Sequence, residues 1–313
     1  MRNNSFAVLI LFVSCVVIPS VSCKSSAVST PVPDATKTYV AQYAGTSDFT
    51  ITKKYETGFE SLNDFTGFFI MPQNYLGTTS HDMTATVKYS GNFSHYAWMY
   101  GTNAVTPGVN TNHRGYPTVQ LHKYSTGTMQ GMVFCEFMVK LNMTLYNEAD
   151  KGWFSFATFC SYSDDLWQRV YLVNLDYDYH VHLMHVPGQT QNVCDIPTTT
   201  KTFPMNQWVK LSILIDYTAE NEYSSPYIKV WQDGELVSAA RFNPRVDPNT
   251  VSPALWPECL NSWDGISIDD AETLCGLTYT GGLAQAHFGL YAPPLLSSGE
   301  VWNDNLIIME LTR

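Results

Sequence analysis

Residues 284–311 read AQAHFGLYAPPLLSSGEVWNDNLIIMEL, and they predict two β-strands separated by a turn. Apolar and polar side chains alternate from Gln285 to Tyr291, which is the period of a strand with one buried face. Pro293-Pro294 interrupts the alternation. A second run, Val301 to Leu311, is again rich in β-branched and aromatic residues. This segment therefore indicates a sheet near the end of the chain.

Similar short runs recur along most of the sequence, with turn signals between them and little amphipathic helix. Gln232-Asp233-Gly234-Glu235 lies between two runs and is typical of a hairpin. About a dozen strands without helices to cover a parallel sheet favour an all-β fold. We expect one domain, residues 40–313, that forms an antiparallel β-sandwich.

The composition limits which classes of ligand the protein can bind. The 313 residues carry 17 Lys and Arg against 28 Asp and Glu, a net charge of −11, and 45% are hydrophobic. That apolar content is sufficient for a large core and excludes a disordered chain. The acidity excludes a general nucleic-acid binder, which needs a basic face. It also disfavours a polyanionic ligand unless a few cations are concentrated in one cleft.

The first residues predict export. Arg2 precedes an apolar run at 6–18 that is too short to span a bilayer, and Ser20 and Ser22 are small residues before Cys23. Residues 1–22 are thus predicted to be a signal peptide, which places the protein outside the cell or on its surface. In a bacterial host, Cys23 is the alternative site of a lipid anchor. Residues 23–39 are predicted to be a Ser/Thr/Pro-rich tether, and no later run is apolar enough for a transmembrane segment.

Cysteines and sequons agree with export. Cys259 and Cys275 flank a polar insertion and are candidates for a disulfide, as are Cys160 and Cys194, which leaves Cys135 as a buried thiol. The sequons at 92–94 and 142–144 predict a glycoprotein if the host is eukaryotic.

Two runs place polar residues on one face of a strand. Tyr116–Lys123 puts Gln120 and His122 together, and an amide beside an imidazole can bind a carboxylate and remove a proton. The run Gln285–Tyr291 puts His287 and Tyr291 together, with Gly289 between them as a gap where a ligand can approach. The alternative for both runs is an ordinary polar surface.

Further candidate residues surround these runs. His182 belongs to a histidine-rich strand and is a candidate to line a groove or, with His180, to bind a metal. Arg114, Lys123 and Arg169 are the cations considered for substrate binding. There is no nucleophile elbow, phosphate loop or HExxH motif.

The motifs A-H-F-G-L-Y (286–291) and Q-L-H (120–122) resemble strands of the concanavalin-A-like polysaccharide lyases, the alginate lyases and heparin lyase I. The resemblance implies a concanavalin-A-like β-jelly-roll sandwich of two antiparallel sheets. It also implies that Tyr291 is a proton donor or base, that Gln120 binds a uronate carboxylate and that His122 assists in proton abstraction. The sequence departs from the family where His287 replaces a lysine. Some relatives bind structural calcium near their first and last strands, which makes Glu60 and Asp304 candidate ligands.

The resulting prediction is a secreted protein that cleaves an extracellular, uronate-containing polysaccharide by β-elimination. The alternative is a non-catalytic carbohydrate-binding module of the lectin or laminin-G type. In that case exposed tryptophans would stack on sugar rings, and the candidates are Trp98, Trp167, Trp256 and Trp263.

Overall fold

A computed structural model describes residues 34–61, 68–70, 78–123, 127–146, 152–160, 170–186, 194–196, 201–218, 227–241 and 282–313. These ranges contain one α-helix, α1 (Asp34–Ala44), a 3₁₀ turn (Leu121–Lys123) and 16 strands. The strands are β1 (Thr50–Thr57), β2 (Phe68–Ile70), β3 (Thr79–Thr84), β4 (Ser94–Tyr100), β5 (His113–Gly115), β6 (Pro117–Val119), β7 (Met132–Met143), β8 (Trp153–Cys160), β9 (Val170–Asp176), β10 (Val181–Val186), β11 (Cys194–Ile196), β12 (Trp208–Asp216), β13 (Tyr227–Gln232), β14 (Glu235–Arg241), β15 (Gln285–Ala292) and β16 (Ser298–Thr312).

The strands form two antiparallel sheets, which confirms the predicted jelly-roll sandwich. The first sheet has the order β14-β13-β12-β7-β16-β4-β3, and β1 pairs with β16 beyond the end of β4. The second has the order β11-β10-β9-β8-β15-β6-β2, and β5 pairs with the last residues of β15. The segment at 284–311 supplies β15 to one sheet and β16 to the other.

The core lies between the sheets and is built from the apolar sets of the alternating strands. Phe288 of β15 contacts Phe137 of β7 with ring centroids 5.4 Å apart, and Phe159 of β8 lies 5.9 Å from the same ring. All three side chains are buried. Each buried side chain of this size contributes about 1.5–3 kcal/mol relative to exposure, so these rings help to fix the two sheets face to face.

Helix α1 corrects the prediction of a tether at 23–39, because residues 34–39 are helical. Val40 and Ala44 pack on the outer face of the first sheet, against Phe134 and neighbouring apolar residues. The Tyr39 hydroxyl donates a hydrogen bond to Glu136 of β7. Burial, together with that carboxylate, raises the pKa of Tyr39. The helix therefore covers apolar surface that an unstructured tether would leave exposed.

The cysteine predictions have mixed outcomes. Cys135 is a buried free thiol, as predicted, and burial raises its pKa well above the usual value. Cys160 is also a buried thiol that forms no disulfide, so its pairing with Cys194 is wrong. Strands β9 and β10 lie between these two residues, which separates their backbones by about 14 Å and exceeds the span of a disulfide. Cys259 and Cys275 lie outside the described residues.

Several targeting predictions also fall outside the described ranges, among them the signal peptide and Cys23. In the part of the chain that the structure describes, no helix has the length and apolar character that crossing a membrane requires. The sequon residues Asn92 and Asn142 are exposed, and their glycosylation stays a prediction.

Candidate functional site

Strand β15 lies near the middle of the second sheet and carries the site. Tyr291 is paired with Arg114 of β5 on one side and with Ser155 of β8 on the other. Four residues earlier, His287 is paired with Thr118 of β6 and with Thr158 of β8. Directly paired residues share a face of the sheet, so the polar set of β15 meets polar side chains from both neighbours.

A bulge at Gly289 lies between His287 and Tyr291. The register with β8 shifts between Phe288 and Tyr291, and Gly289 has φ +133°, a conformation that favours glycine. A Cβ at this position would lie 2.7 Å from the Gly115 carbonyl oxygen and 2.8 Å from His95 Cε1. The prediction of an open gap at Gly289 is therefore wrong, because the backbone of Gly115 and the buried His95 ring fill the space beside it.

Tyr291 is half-buried and has donors around its oxygen. The amide groups of Asn110 and Asn112 donate hydrogen bonds to the hydroxyl at 3.2 and 3.0 Å. The Arg114 guanidinium carbon lies 5.8 Å from the centre of the ring, and Trp153 makes an edge contact at 5.3 Å. Because both hydrogen bonds are donated to Tyr291, its own hydroxyl hydrogen remains available for a ligand.

His287 lies beside Tyr291, with ring centroids 5.8 Å apart, as the shared-face prediction required. Only 5% of His287 is exposed, and the Tyr116 ring lies against it with centroids 3.8 Å apart. Burial, and secondarily the positive charge of Arg114, lower the pKa of His287 well below its usual range. The imidazole is therefore neutral near pH 7.

These residues line a groove of about 870 Å³. One part of its wall is apolar and includes Val170, Leu172 and Met184. Among the described residues that line it, Arg114 is the one side chain with a formal charge, since His287 is neutral and no carboxylate is present. The groove thus carries one positive charge although the chain as a whole is acidic.

The loop before β5 is fixed by buried polar side chains. Asn103 donates from its amide to the Thr111 carbonyl at 2.8 Å, and the Thr78 hydroxyl donates to Asn103. His113 contacts the Leu296 carbonyl through Nε2 at 2.9 Å. Burial lowers the pKa of His113, which favours the neutral ring. These contacts hold the loop that carries Asn110 and Asn112 over Tyr291.

The predicted pair Gln120 and His122 is not part of this groove. Strand β6 ends at Val119 and the chain enters the 3₁₀ turn, where the Lys123 amide donates to the Gln120 carbonyl. The period-two alternation therefore stops, and neither residue lines the groove. Gln120 is buried, while the His122 ring bonds the Ala284 carbonyl through Nδ1 at 3.1 Å.

Two further predicted binding residues, Lys123 and His182, also lie apart from the groove lining. Lys123 is exposed at the end of the same turn. His182 lies on β10 between two carboxylates, with Nδ1 3.5 Å from Asp176 and Nε2 3.2 Å from Asp178. Arg169 lies outside the described residues. Of the predicted substrate-binding residues, the groove contains Arg114 and His287.

Glu60 and Asp304, the candidate calcium ligands, lie around the loop at 89–92. Both oxygens of Glu60 accept the Asn92 amide, and Asp304 accepts the amides of Tyr89 and Ser90. Burial, with the Glu60 charge as a further cause, raises the pKa of Asp304. Among the described residues no group of three or more His, Cys, Asp or Glu is placed to hold a metal ion. The two carboxylates anchor the loop through these hydrogen bonds, and calcium binding by Glu60 and Asp304 stays a prediction.

Sequence reasoning missed much of the groove wall. Asn110 and Asn112 belong to a long irregular stretch, and that length was the one available signal of function. Trp153 begins a strand and resembled any core tryptophan. Trp98, which was a stacking candidate, lies on the other sheet and stacks on Tyr96 with centroids 4.9 Å apart. Trp167, Trp256 and Trp263 lie outside the described residues.

No family model and no curated protein matches the chain. Solved structures with a similar chain path include an endo-β-1,4-glucuronan lyase from the fungus Trichoderma reesei, which is 14% identical over 83% of this chain and 96% of its own, with a TM-score of 0.49. The cellulose-induced protein Cip1 is also 14% identical, over 81% and 96%, with a TM-score of 0.49. A marine alginate lyase from Aplysia kurodai is 9% identical over 83% and 99%, with a TM-score of 0.47. Such values assign no reaction to this chain.

Proposed function

We propose that this protein is a secreted polysaccharide lyase that cleaves a uronate-containing glycan by β-elimination. The observation that carries the proposal is the placement of a tyrosine hydroxyl, a guanidinium and a neutral imidazole in one groove. The apolar run and small residues of the N-terminal 22 residues support secretion.

Arg114 is the residue that binds the uronate carboxylate. A guanidinium binds a carboxylate through two parallel hydrogen bonds, and it is the one formal charge among the described groove residues. Neutralising the carboxylate makes the C5 proton of the sugar more acidic, because the charge that develops at C5 is delocalised towards the acid group. This assigns to Arg114 the role that the family resemblance gave to Gln120.

His287 is the proton acceptor. Burial and the Arg114 charge keep the ring neutral, which is the protonation state that a general base requires. When a substrate carboxylate pairs with Arg114, it offsets the positive charge that helps to lower the pKa of His287. The imidazole therefore becomes more basic once substrate is bound, which favours proton transfer in the complex rather than in the free protein.

Tyr291 is the proton donor to the leaving oxygen. In the elimination the C5–H bond breaks, and its electron pair forms the C4–C5 double bond. The C4–O bond breaks, and the departing oxygen takes its electrons and the Tyr291 proton, while His287 holds the proton from C5. Transfer of that proton to Tyr291 restores both rings, which are neighbours in the groove.

The test is incubation of the purified protein with alginate, glucuronan, ulvan and heparin, with product followed by the ultraviolet absorbance of the new double bond. Tyr291→Phe should lower turnover by roughly 10²–10⁴-fold, the usual contribution of general acid–base catalysis. Tyr146→Phe is the matched control, because Tyr146 is exposed and does not line the groove. Absence of product on every polymer, or full turnover by Tyr291→Phe, would refute the proposal.

The low exposure of His287 favours one alternative, a carbohydrate-binding module without catalysis. Only 5% of the side chain is accessible, and Tyr116 and Trp153 offer ring faces or edges to a sugar in the same groove. Binding of a polymer without any unsaturated product would establish this alternative.

A further inference from the structure

The groove contains a second polar patch that the proposed reaction does not use. Thr158 of β8 is 3% exposed and Asn174 of β9 is fully buried, and both line the groove. Thr158 Oγ1 and Asn174 Oδ1 have no hydrogen-bond partner within the part of the chain that the structure describes. Buried polar atoms are nearly always paired, so two unpaired atoms facing one groove indicate a ligand that pairs them.

The orientation of the Asn174 amide defines what that ligand must offer. Its nitrogen donates to the Met184 sulfur on the neighbouring strand β10. The opposite orientation would place the amide oxygen against the sulfur, and both are acceptors. The atom left without a partner is therefore Oδ1, which can accept a hydrogen bond but cannot donate one.

Asn174, at one end of the patch, is remote from the positive charge. Arg114, Tyr291, Ser155 and Asn174 are paired in one row across β5, β15, β8 and β9. Three strand spacings place the backbone of Asn174 about 14 Å from that of Arg114. A sugar ring whose carboxylate pairs with Arg114 leaves Asn174 to a neighbouring ring of the same chain, and Thr158, which is paired with His287, lies between the two rings.

We propose that Thr158 and Asn174 form a subsite that recognises hydroxyl groups of this neighbouring ring and selects a ring without sulfate there. A sugar hydroxyl can donate to Asn174 Oδ1, and an adjacent hydroxyl can accept from or donate to Thr158. A sulfate ester has no hydrogen to donate, and no described lining residue near the patch carries a positive charge. The inference rests on the proposed function, and it names an unsulfated uronate glycan as the substrate class.

Two threonines that flank the same histidine make a matched test. Thr158 and Thr118 are both paired with His287, both are buried, and both hydroxyls lack a described partner. Thr158 lines the groove and Thr118 does not. Valine has nearly the shape of threonine, so each Thr→Val change removes an unpaired hydroxyl, and neither should lower the unfolding midpoint.

The experiment measures calorimetric binding of a glucuronan tetrasaccharide and of an O-sulfated tetrasaccharide of the same length. The protein carries Tyr291→Phe so that binding is measured without turnover. Thr158→Val should weaken binding of the unsulfated probe by about tenfold, the effect of one lost hydrogen bond. Thr118→Val should bind as the parent does, and the parent should prefer the unsulfated probe.

Each other outcome overturns the inference. If the two valine variants bind the probe equally well, the assignment of a subsite is wrong. Product formation by the wild type would in that case still support the proposed reaction. Equal affinity for the sulfated probe removes the selectivity. Absence of binding to both probes refutes the subsite, and absence of product from the wild type in addition refutes the proposed function as well.

Discussion

Replacing Gly289 of β15 by alanine should strongly reduce the stability of the protein. The glycine has φ +133°, and holding an alanine there costs about 1–3 kcal/mol. Its Cβ would also lie 2.7 Å from the Gly115 carbonyl oxygen and 2.8 Å from His95 Cε1, and relief of such overpacking costs about 1–3 kcal/mol more. We expect the free energy of unfolding to fall by roughly 2–6 kcal/mol.

Gly234→Ala separates the two contributions. Gly234 has φ +84°, but a Cβ there would meet no atom within 4 Å. Urea denaturation followed by tryptophan fluorescence should therefore show that Gly289→Ala destabilises the protein by about 1–3 kcal/mol more than Gly234→Ala does. If the two variants lose the same stability, the close packing of β15 against β5 and His95 is wrong.

Three further predictions concern pH, the loop at 89–92 and the groove. Burial lowers the pKa of His81 from 6.5 to about 4, so between these pH values the unfolded chain binds a proton that the folded chain does not. The free energy of unfolding should therefore fall by roughly 3 kcal/mol as the pH is lowered from 6.5 to 4. If the urea midpoint of His81→Asn falls as steeply with pH as that of the wild type, the prediction is wrong. Asp304→Ala removes the acceptor of two loop amides and should cost about 1–3 kcal/mol in thermal or urea unfolding, whereas an unchanged midpoint would show that the loop does not need it. Arg114→Gln should raise KM for a uronate polymer by about tenfold or more with the fold intact, and an unchanged KM would exclude Arg114 as the carboxylate ligand.

The two sheets could be predicted because alternation is a local property of the sequence. The apolar residues of β15 face the core, and His287 and Tyr291 therefore share the other face, as expected. The same reasoning was wrong for Gln120 and His122, because the alternation of residue types continues through a segment where the backbone leaves the strand. The hydrogen bond that closes the 3₁₀ turn has no signature in the spacing of apolar residues.

The composition of the groove could not be predicted from any one segment. Arg114 meets Tyr291 because β5 pairs with β15, and that partner choice joins distant parts of the chain. Asn110 and Asn112 act through a loop whose position depends on buried contacts of Asn103. Helix α1 was also missed, because the tether predicted from the Ser/Thr/Pro-rich composition was extended to residue 39, past the start of the helix at Asp34.

The mass of the products tests the central claim most directly. Elimination adds no water, so each new non-reducing end is one water lighter than the end that hydrolysis would produce. We predict that mass spectrometry of glucuronan or alginate digested by the wild-type protein shows these lighter, unsaturated oligosaccharides, and that Tyr291→Phe shows almost none. Products that carry the added water, or polymer that is bound and recovered intact, would contradict the assignment of a lyase.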